Sequence, residues 1–449
     1  MLPRERRILA EGTRMVERAA HPPTAPRALL ALIAAALAFA SLGAFVRDTR
    51  GPGTPLPKDF AQYYVAGKLA LRGRLDALYF VDLHTGLTQP VLANSEFART
   101  GREFGIAETS YFLYPPWVAW LYAPLALLPP WPAFVAARLL AWLALVAGFV
   151  VLAGAVPAWG PEAALASFAL FALSPPVRAA LGTAQASIPV FLLLALFARA
   201  LARRRERAAG AWWGAAAALK LFPLVFALWL VARRRWRALA AGAACGFVLL
   251  VLGLAAGGWP TTERFLGLMR EHLPYSTPYA PNQSLTALAL RWTSGANPFD
   301  WTIVSVPPAL AWGVRLAQLA MLAVTVLLVV RAPSRAGAWS DALGLALFTV
   351  WALLVAPSAW LHHFVALALP ATVAAARLLA TERVRGRSLV LWVVFGALLF
   401  GYDAYERVSG PGAGSALRTA LVSTPLAAAL VLWLLLALQL RSATASSAA

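Results

Sequence analysis

One carboxylate lies close to an apolar segment near the start of the chain, in residues 58–68, "KDFAQYYVAGK". A carboxylate among apolar and aromatic residues costs free energy unless it is paired or used in chemistry. Asp59 is therefore a candidate general base that takes a proton from an attacking hydroxyl. The alternative is that Asp59 caps the N-terminus of an amphipathic helix, and both interpretations stay open.

Aromatic residues recur through the same part of the chain, from Tyr63 and Tyr64 to Tyr122. In a helix, a spacing of four places Tyr63 beside Asp59 and Lys68 beside Tyr64. Aromatic residues of this kind usually anchor a protein at the membrane interface, and the alternative is a platform that binds a sugar or a lipid. We take Tyr63, Tyr64 and Lys68 as candidate substrate-binding residues.

A single lysine, Lys220 in "AALKLFPL", interrupts a long uncharged stretch. Such a charge is expensive unless it reaches water or an anion, and extension of the side chain to the membrane interface is the simpler explanation. Its position beside Pro223, at a predicted helix break, favours a site for a substrate phosphate group. Arg178 in "SPPVR" and Gln185 in "GTAQAS" belong to a second turn, so Arg178 could bind the same phosphate and Gln185 the substrate.

Two further pairs of polar residues fall in predicted turns. His362 and His363, in "PSAWLHHF", could bind a metal, relay a proton or donate hydrogen bonds to a polar head group. Adjacent histidines point in different directions on a helix, so we expect no metal and no cofactor. Asn282 and Gln283, in "YAPNQSLTAL", either cap a helix or contact sugar hydroxyls.

The composition defines the class of protein that must position these groups. The chain has 449 residues, of which 61% are hydrophobic and 13% charged, with a mean hydropathy of +0.69. This indicates an all-α integral membrane protein with many helices. The formal charge of +20 comes from short arginine clusters between apolar runs, which is typical of cytoplasmic loops. We therefore expect membrane lipid as a partner and no nucleic acid.

The apolar runs and the arginine clusters together predict about twelve spans in one domain, 1–449, with both ends cytoplasmic. Residues 114–130 contain several prolines, so we expect them to dip into the membrane or lie on its surface. Two large loops, about 47–131 and 257–306, then face the outside. The predicted spans are 28–46, 132–155, 161–178, 186–202, 208–219, 221–232, 238–256, 307–331, 340–357, 361–380, 388–403 and 417–440.

The motifs resemble glycosyltransferase family 87 in their order along the chain. The first, "KDFAQYYVAGKLALRGRLDALY", is the most specific, and "YPPWVAWLYAPLALLP", "GTAQASIPVFLLLALFARALARRRERAAGAWWGAAAALKLFPL", "NQSLTALALR" and "HHFVALALP" follow. The resemblance covers about 58–370. Ala186 and Ser187 depart from it, because an asparagine is expected close to Gln185.

This resemblance implies a GT-C type fold with membrane-surface helices in the first outer loop. It also implies an inverting transfer of a sugar, notably mannose, from a polyprenyl-phosphate donor to a glycolipid or glycan acceptor, at the outer face of the cytoplasmic membrane. Asp59 matches the family's acid near the first span, Lys220 matches a lysine-proline turn, and His362 and His363 match a late outer turn.

A transporter or flippase of lipid-linked sugars is the alternative. Many spans and broken short helices would suit it. Transporters usually place charges near the middle of the bilayer in both halves of an internal repeat. Here the polar residues collect on one predicted face and no such repeat is evident, which favours an enzyme.

Overall fold

The computed structural model describes residues 32–33, 35–43, 55–79, 94–272, 274–332, 337–381, 385–408 and 415–445. In these residues the chain is helical apart from one short sheet and the connecting turns. The first nine helices are α1 Lys58–Leu71, α2 Glu96–Glu103, α3 Trp117–Ala126, α4 Pro130–Ala153, α5 Gly160–Phe171, α6 Pro175–Gly182, α7 Ser187–Ala202, α8 Glu206–Leu219 and α9 Phe226–Ala232. The later ones are α10 Trp236–His272, α11 Leu285–Thr293, α12 Pro308–Arg331, α13 Gly337–Val355, α14 Ala368–Ala380, α15 Arg385–Val408, α16 Ser415–Val422 and α17 Thr424–Ala445. Short 3₁₀ segments occupy Leu75–Ala77, Phe222–Val225 and Leu361–Leu367.

Seven apolar stretches of helix in the described residues are long enough to cross a bilayer. An eighth arises if α5 and α6, which are bent by 71° relative to each other, count as one broken span. The chain is therefore a multi-pass membrane protein. The spanning stretches are Pro130–Ala153, Trp236–Glu271, Pro308–Arg331, Ala338–Val355, Leu361–Ala380, Gly386–Ala404 and Thr424–Ala443.

The remaining predicted spans account for the difference from the expected number of about twelve. Most of the run 28–46 lies outside the described residues. The runs 186–202, 208–219 and 221–232 form α7, α8 and α9 with its preceding turn, which are all shorter than a usual span. The total of twelve stays a prediction.

Helix α1 is a core element. Apart from Lys58, Asp59, Lys68 and Leu71, every residue of α1 is buried. A helix that is apolar around nearly its whole circumference is typical of a protein core, so the stretch "KDFAQYYVAGK" forms the centre of its region rather than a loose loop.

Glycine brings α1 close to α3. A Cβ atom at Gly67 would lie 2.9 Å from both the Cβ of Ala126 and the carbonyl oxygen of Tyr122. The same approach stacks the rings of Tyr63 and Tyr122, with centroids 4.4 Å apart and planes 10° apart.

The ten residues of α3 extend over only about 15 Å, about half the thickness of a hydrocarbon core.

The chain breaks where α8 ends. Lys220 has an extended backbone (φ −141°, ψ 140°), and a 3₁₀ turn begins at Phe222. Its second residue is Pro223, which has no backbone N–H to continue the hydrogen bonding of an α-helix. The other ends of α8 and α9 are two similar turns, in which Arg204 (φ 55°) and Arg234 (φ 54°) adopt the left-handed conformation. Helices α8 and α9 thus connect an arginine-rich end to the turn that carries Lys220.

A second irregular region follows the kink in α10 at Gly258, where φ is 72°. Strands β1 (Tyr275–Ser276) and β2 (Val304–Ser305) pair antiparallel and close the segment between them into a loop that contains α11. Asn282 forms an isolated bridge with Trp360. This bridge ties the loop to the 3₁₀ turn that carries the two histidines.

Candidate active site

Asp59 is the second residue of α1. Pro57 occupies the N-cap position, and no side chain caps the helix, so the capping interpretation of Asp59 is wrong. Its Oδ1 instead accepts a hydrogen bond from Oγ of Ser110 at 3.1 Å. The backbone N–H of Ser110 also donates to the carbonyl of Lys58 at 3.2 Å, which fixes the serine against the start of the helix.

One turn further along α1, Tyr63 belongs to a small polar network. Its hydroxyl is hydrogen-bonded to the hydroxyl of Tyr114. Both hydroxyls lie within reach of Oε1 of Gln185, at 2.9 Å from Tyr63 and 3.5 Å from Tyr114. Burial raises the pKa of Tyr63 and of Tyr114 well above the usual value, and the negative charge of Asp59 adds to both shifts. Both phenols therefore stay protonated at neutral pH.

Lys220 lies on the far side of this network. Its side chain is buried, with 8% of the residue exposed, and Nζ lies 5.9 Å from the centre of the Tyr114 ring. Burial lowers the pKa of Lys220 to about 7, and the charge of Asp59 opposes that shift. No carboxylate of the described residues is bonded to this amine.

The bonding partner of Lys220 is His363, whose Nε2 lies 2.8 Å from Nζ. When the lysine is protonated it donates to Nε2, so the proton of the neutral imidazole is on Nδ1. That Nδ1 is buried and has no hydrogen-bond partner among the described residues. The ring is held by Phe222, at 5.9 Å, and by His362, at 4.6 Å between centroids. Lys220 and His363 thus offer donors that the protein itself leaves unused.

Together these groups form a cluster with one carboxylate at one side and one cation at the other. The family model of glycosyltransferase family 87 matches residues 112–357, which is more than half of the chain. The chain belongs to glycosyltransferase family 87. Among curated proteins, no sequence matches this chain.

The family match contains part of the cluster. Tyr114, Gln185 and Lys220 lie within the matched residues, whereas Asp59 and His363 lie outside them. The structure joins the two sets, because Tyr63 bonds to Gln185 and His363 bonds to Lys220. In this membrane glycosyltransferase, residues from five separate parts of the chain therefore meet in one candidate site.

The structure places Arg178 in a different bonding arrangement from Lys220. Arg178 forms an ion pair with Asp403 and also donates to the carbonyl of Leu173 at 2.8 Å. A donor phosphate would have to compete with that carboxylate for the guanidinium group. The assignment of Arg178 to phosphate binding stays a prediction.

Two predicted substrate contacts on α1 point toward protein groups. The hydroxyl of Tyr64 donates to the carbonyl of Leu128 at 2.9 Å, and Nζ of Lys68 lies 4.1 Å from the centre of the Phe104 ring. These contacts attach α1 to its neighbours. A substrate-binding role for Tyr64 and Lys68 stays a prediction.

Asn282 and Gln283 are fully buried and bonded to the backbone. Asn282 donates to the carbonyl of Thr277 at 3.0 Å and accepts from the N–H of Ala359 at 3.2 Å. Gln283 donates to the carbonyls of Ala280 and Val422, both at 2.7 Å. In this glycosyltransferase these amides hold the second loop against the histidine turn, and their contact with substrate stays a prediction.

The sequence did not single out Ser110, and it gave Tyr114 no role beyond its place in the aromatic series. Ser110 lies between Thr109 and Tyr111 with no spacing that relates it to Asp59. Only the fold brings it there. The one available signal for Tyr114 was its position before the two prolines of "YPPW", which fix the chain direction at the start of α3.

Proposed function

We propose that this glycosyltransferase moves a sugar, mannose in the first instance, from a polyprenyl-phosphate donor to a hydroxyl of a glycolipid or glycan acceptor. The transfer inverts the anomeric configuration and takes place at the outer face of the cytoplasmic membrane, in a GT-C type fold. The supporting observation is that one carboxylate, Asp59, and one buried cation, Lys220, which forms no ion pair with the described residues, belong to the same cluster.

Asp59 acts as the general base. It accepts the proton of the acceptor hydroxyl while that oxygen forms a bond to the anomeric carbon of the donor sugar. The bond from that carbon to the phosphate oxygen breaks on the opposite face, and the electron pair leaves with the lipid phosphate. Because the leaving group is already an anion, it needs no proton from a second carboxylic acid, in contrast to glycoside hydrolysis.

Lys220 and His363 bind the departing phosphate. The negative charge on the phosphate grows as the sugar leaves, and fixed donors in a low-dielectric site stabilise that charge strongly. The protonated amine of Lys220 supplies one donor. Burial destabilises its positive charge, and a bound anion would offset that cost. The Nδ1–H of His363, which lacks a protein partner among the described residues, supplies a second donor.

The distribution of cations supports the outer face. Lys220 lies at one end of α8, and the arginine-rich turns lie at its other end. Arginine clusters mark cytoplasmic ends of membrane helices. By this rule the Lys220 end faces outward, where a polyprenyl-linked sugar in the outer leaflet would meet an acceptor.

The test is transfer by the purified enzyme from a panel of polyprenyl-phosphate sugars. We expect transfer from the mannose donor, reduced by about 10²–10⁴-fold in Asp59→Asn and unchanged in the matched control Glu108→Gln, an exposed acid that pairs with Lys58. Transfer only from a sugar nucleotide, or near-normal turnover in Asp59→Asn, would contradict the proposal. Facilitated movement of the lipid-linked sugar across vesicles without transfer would favour the transporter alternative.

A further inference from the structure

Three aromatic rings form a stacked group next to the histidine turn. The rings of Trp301 and Trp360 are stacked with centroids 5.6 Å apart and planes 17° apart. Tyr279 packs edge-to-face against Trp301, with centroids 5.6 Å apart. One face of Trp301 is covered by Trp360, yet 50% of Trp301 is exposed. About half of the Trp301 surface therefore remains accessible to a ligand beside these two neighbouring rings.

Two polar residues lie just before Trp301 in the chain. Asp300 immediately precedes Trp301, and its Oδ2 accepts from Nδ2 of Asn297 at 3.0 Å. Both residues are exposed. An exposed aromatic ring with an amide and a carboxylate close by in the chain matches the chemistry of a sugar ring, which has apolar C–H faces and hydroxyls around its edge. Membrane lipid tails offer nothing to the two polar groups.

The platform is held in a fixed position by backbone hydrogen bonds. The N–H of Gln283 donates to the carbonyl of Ala359 at 2.6 Å, and the N–H of Leu361 donates to the carbonyl of Pro281 at 2.7 Å. These bonds flank Trp360 on both sides. A prearranged ring loses little conformational entropy when it binds a ligand.

The same segment leads directly into the candidate active site. Trp360 is followed after one residue by His362 and His363, and the N–H of His363 donates to the carbonyl of Trp360 at 2.7 Å. A glycan bound at the platform would therefore extend toward the cluster of Lys220 and Asp59.

We propose that Trp301, Trp360 and Tyr279 form a subsite for a sugar unit of the acceptor glycan, away from the unit that carries the reacting hydroxyl. This rests on the proposed function, because it assumes that the acceptor is a glycan. The donor sugar is held at the phosphate site, so the platform serves the acceptor alone. Binding energy gained at such a remote unit holds the reacting hydroxyl in position.

The test compares Trp301→Ala with Trp292→Ala, which removes a similarly exposed tryptophan (58%) from α11. The acceptors are a mannose monosaccharide (one unit) and a mannose-containing oligosaccharide of four units. In Trp301→Ala we expect the KM of the four-unit acceptor to rise about tenfold, with little change in kcat, in the donor KM or in the one-unit KM. Trp301→Phe should restore part of the loss, and Trp292→Ala should leave all values unchanged.

A second measurement needs no turnover. Isothermal titration of the purified full-length protein with the four-unit oligosaccharide should show binding that Trp301→Ala weakens by a similar factor. Failure of the wild type to bind it, or equal losses in both tryptophan variants, would overturn the subsite. An unchanged acceptor KM in Trp301→Ala would also overturn the subsite and would favour Trp301 as an anchor at the membrane interface. Absence of transfer by the wild type would contradict the proposed function, while the titration would still decide the subsite.

Discussion

The cationic side chains at the two ends of helices α8 and α9 differ in their bonding partners. At the arginine-rich end, Arg235 is paired with Glu206 and with Asp341. Arg233, whose side chain is 8% exposed, lies 3.4 Å from the same Asp341 and donates to the backbone at Ser340. At the other end, Lys220 is buried as a whole residue, and among the described residues its hydrogen-bond partner is a neutral imidazole.

We interpret the difference as one between structural cations at the arginine-rich end and a proposed substrate-binding cation at Lys220. Burying a charge is costly, and a protein normally offsets that cost with a counterion that it supplies itself. The arginine end follows this rule. Lys220 has no such counterion among the described residues. That arrangement is expected where a substrate supplies the counterion.

The largest expected effect is at Asp59, the acid opposite Lys220. Asp59→Asn keeps the size of the side chain and its bond to Ser110 but removes the proton acceptor. We expect turnover to fall by about 10²–10⁴-fold, with donor binding retained, as measured by single-turnover transfer and by titration with the donor. Loss of donor binding together with turnover would show that Asp59 acts on the phosphate site instead.

The next effect is at Lys220. Lys220→Ala removes the unpaired cation, and we expect kcat to fall by about 10²–10³-fold, as when a transition-state donor is lost, together with weaker donor binding. Lys220→Arg should keep part of the activity, because a phosphate accepts either cation. The matched control is Lys58→Ala, whose exposed lysine pairs with Glu108 and which we expect to behave as the wild type. Equal loss in both variants would remove the distinction between the two kinds of cation.

The pH dependence of donor binding sharpens the same comparison. The pKa of Lys220 is lowered to about 7 in the ligand-free protein, and a phosphodiester donor remains anionic at neutral and alkaline pH. Above pH 7 the donor must therefore bind together with a proton. We expect the donor KM to be nearly constant below pH 7, then to rise about fivefold from pH 7 to 8 and about tenfold from pH 8 to 9. In Lys220→Arg the rise should disappear over this range, since arginine stays charged.

The smallest effect on activity is expected at the arginine end. Asp341→Asn removes the counterion of Arg233, so the free energy of unfolding should fall by about 1–3 kcal/mol, while turnover per folded molecule stays normal. Thermal unfolding in detergent and single-turnover transfer measure the two quantities. Glu263→Gln, an exposed acid on α10, is the control and should change neither. A large loss of turnover in Asp341→Asn at unchanged stability would contradict a purely structural role.

Local sequence features predicted several parts of this site. The isolated lysine before a proline predicted a helix break at Lys220, which the structure has. The ordered motifs predicted membership of glycosyltransferase family 87, which the family match confirms. Composition predicted a multi-pass helical membrane protein, which the spanning helices bear out. Such features depend on residues close together in the chain, so they can be read without the fold.

The sequence by itself determined the class of protein, the family and the candidate groups Asp59, Lys220 and His363. Only the tertiary structure decided which of the candidates meet. Tyr63 and Gln185 are hydrogen-bonded although 122 positions separate them, and Lys220 and His363 although 143 positions separate them. Arg178 forms an ion pair with Asp403. The tertiary structure also buried Asn282 and Gln283 in backbone contacts. The physical reason is that helix packing, which depends on close approaches such as that at Gly67, sets these distances, and no local pattern encodes them.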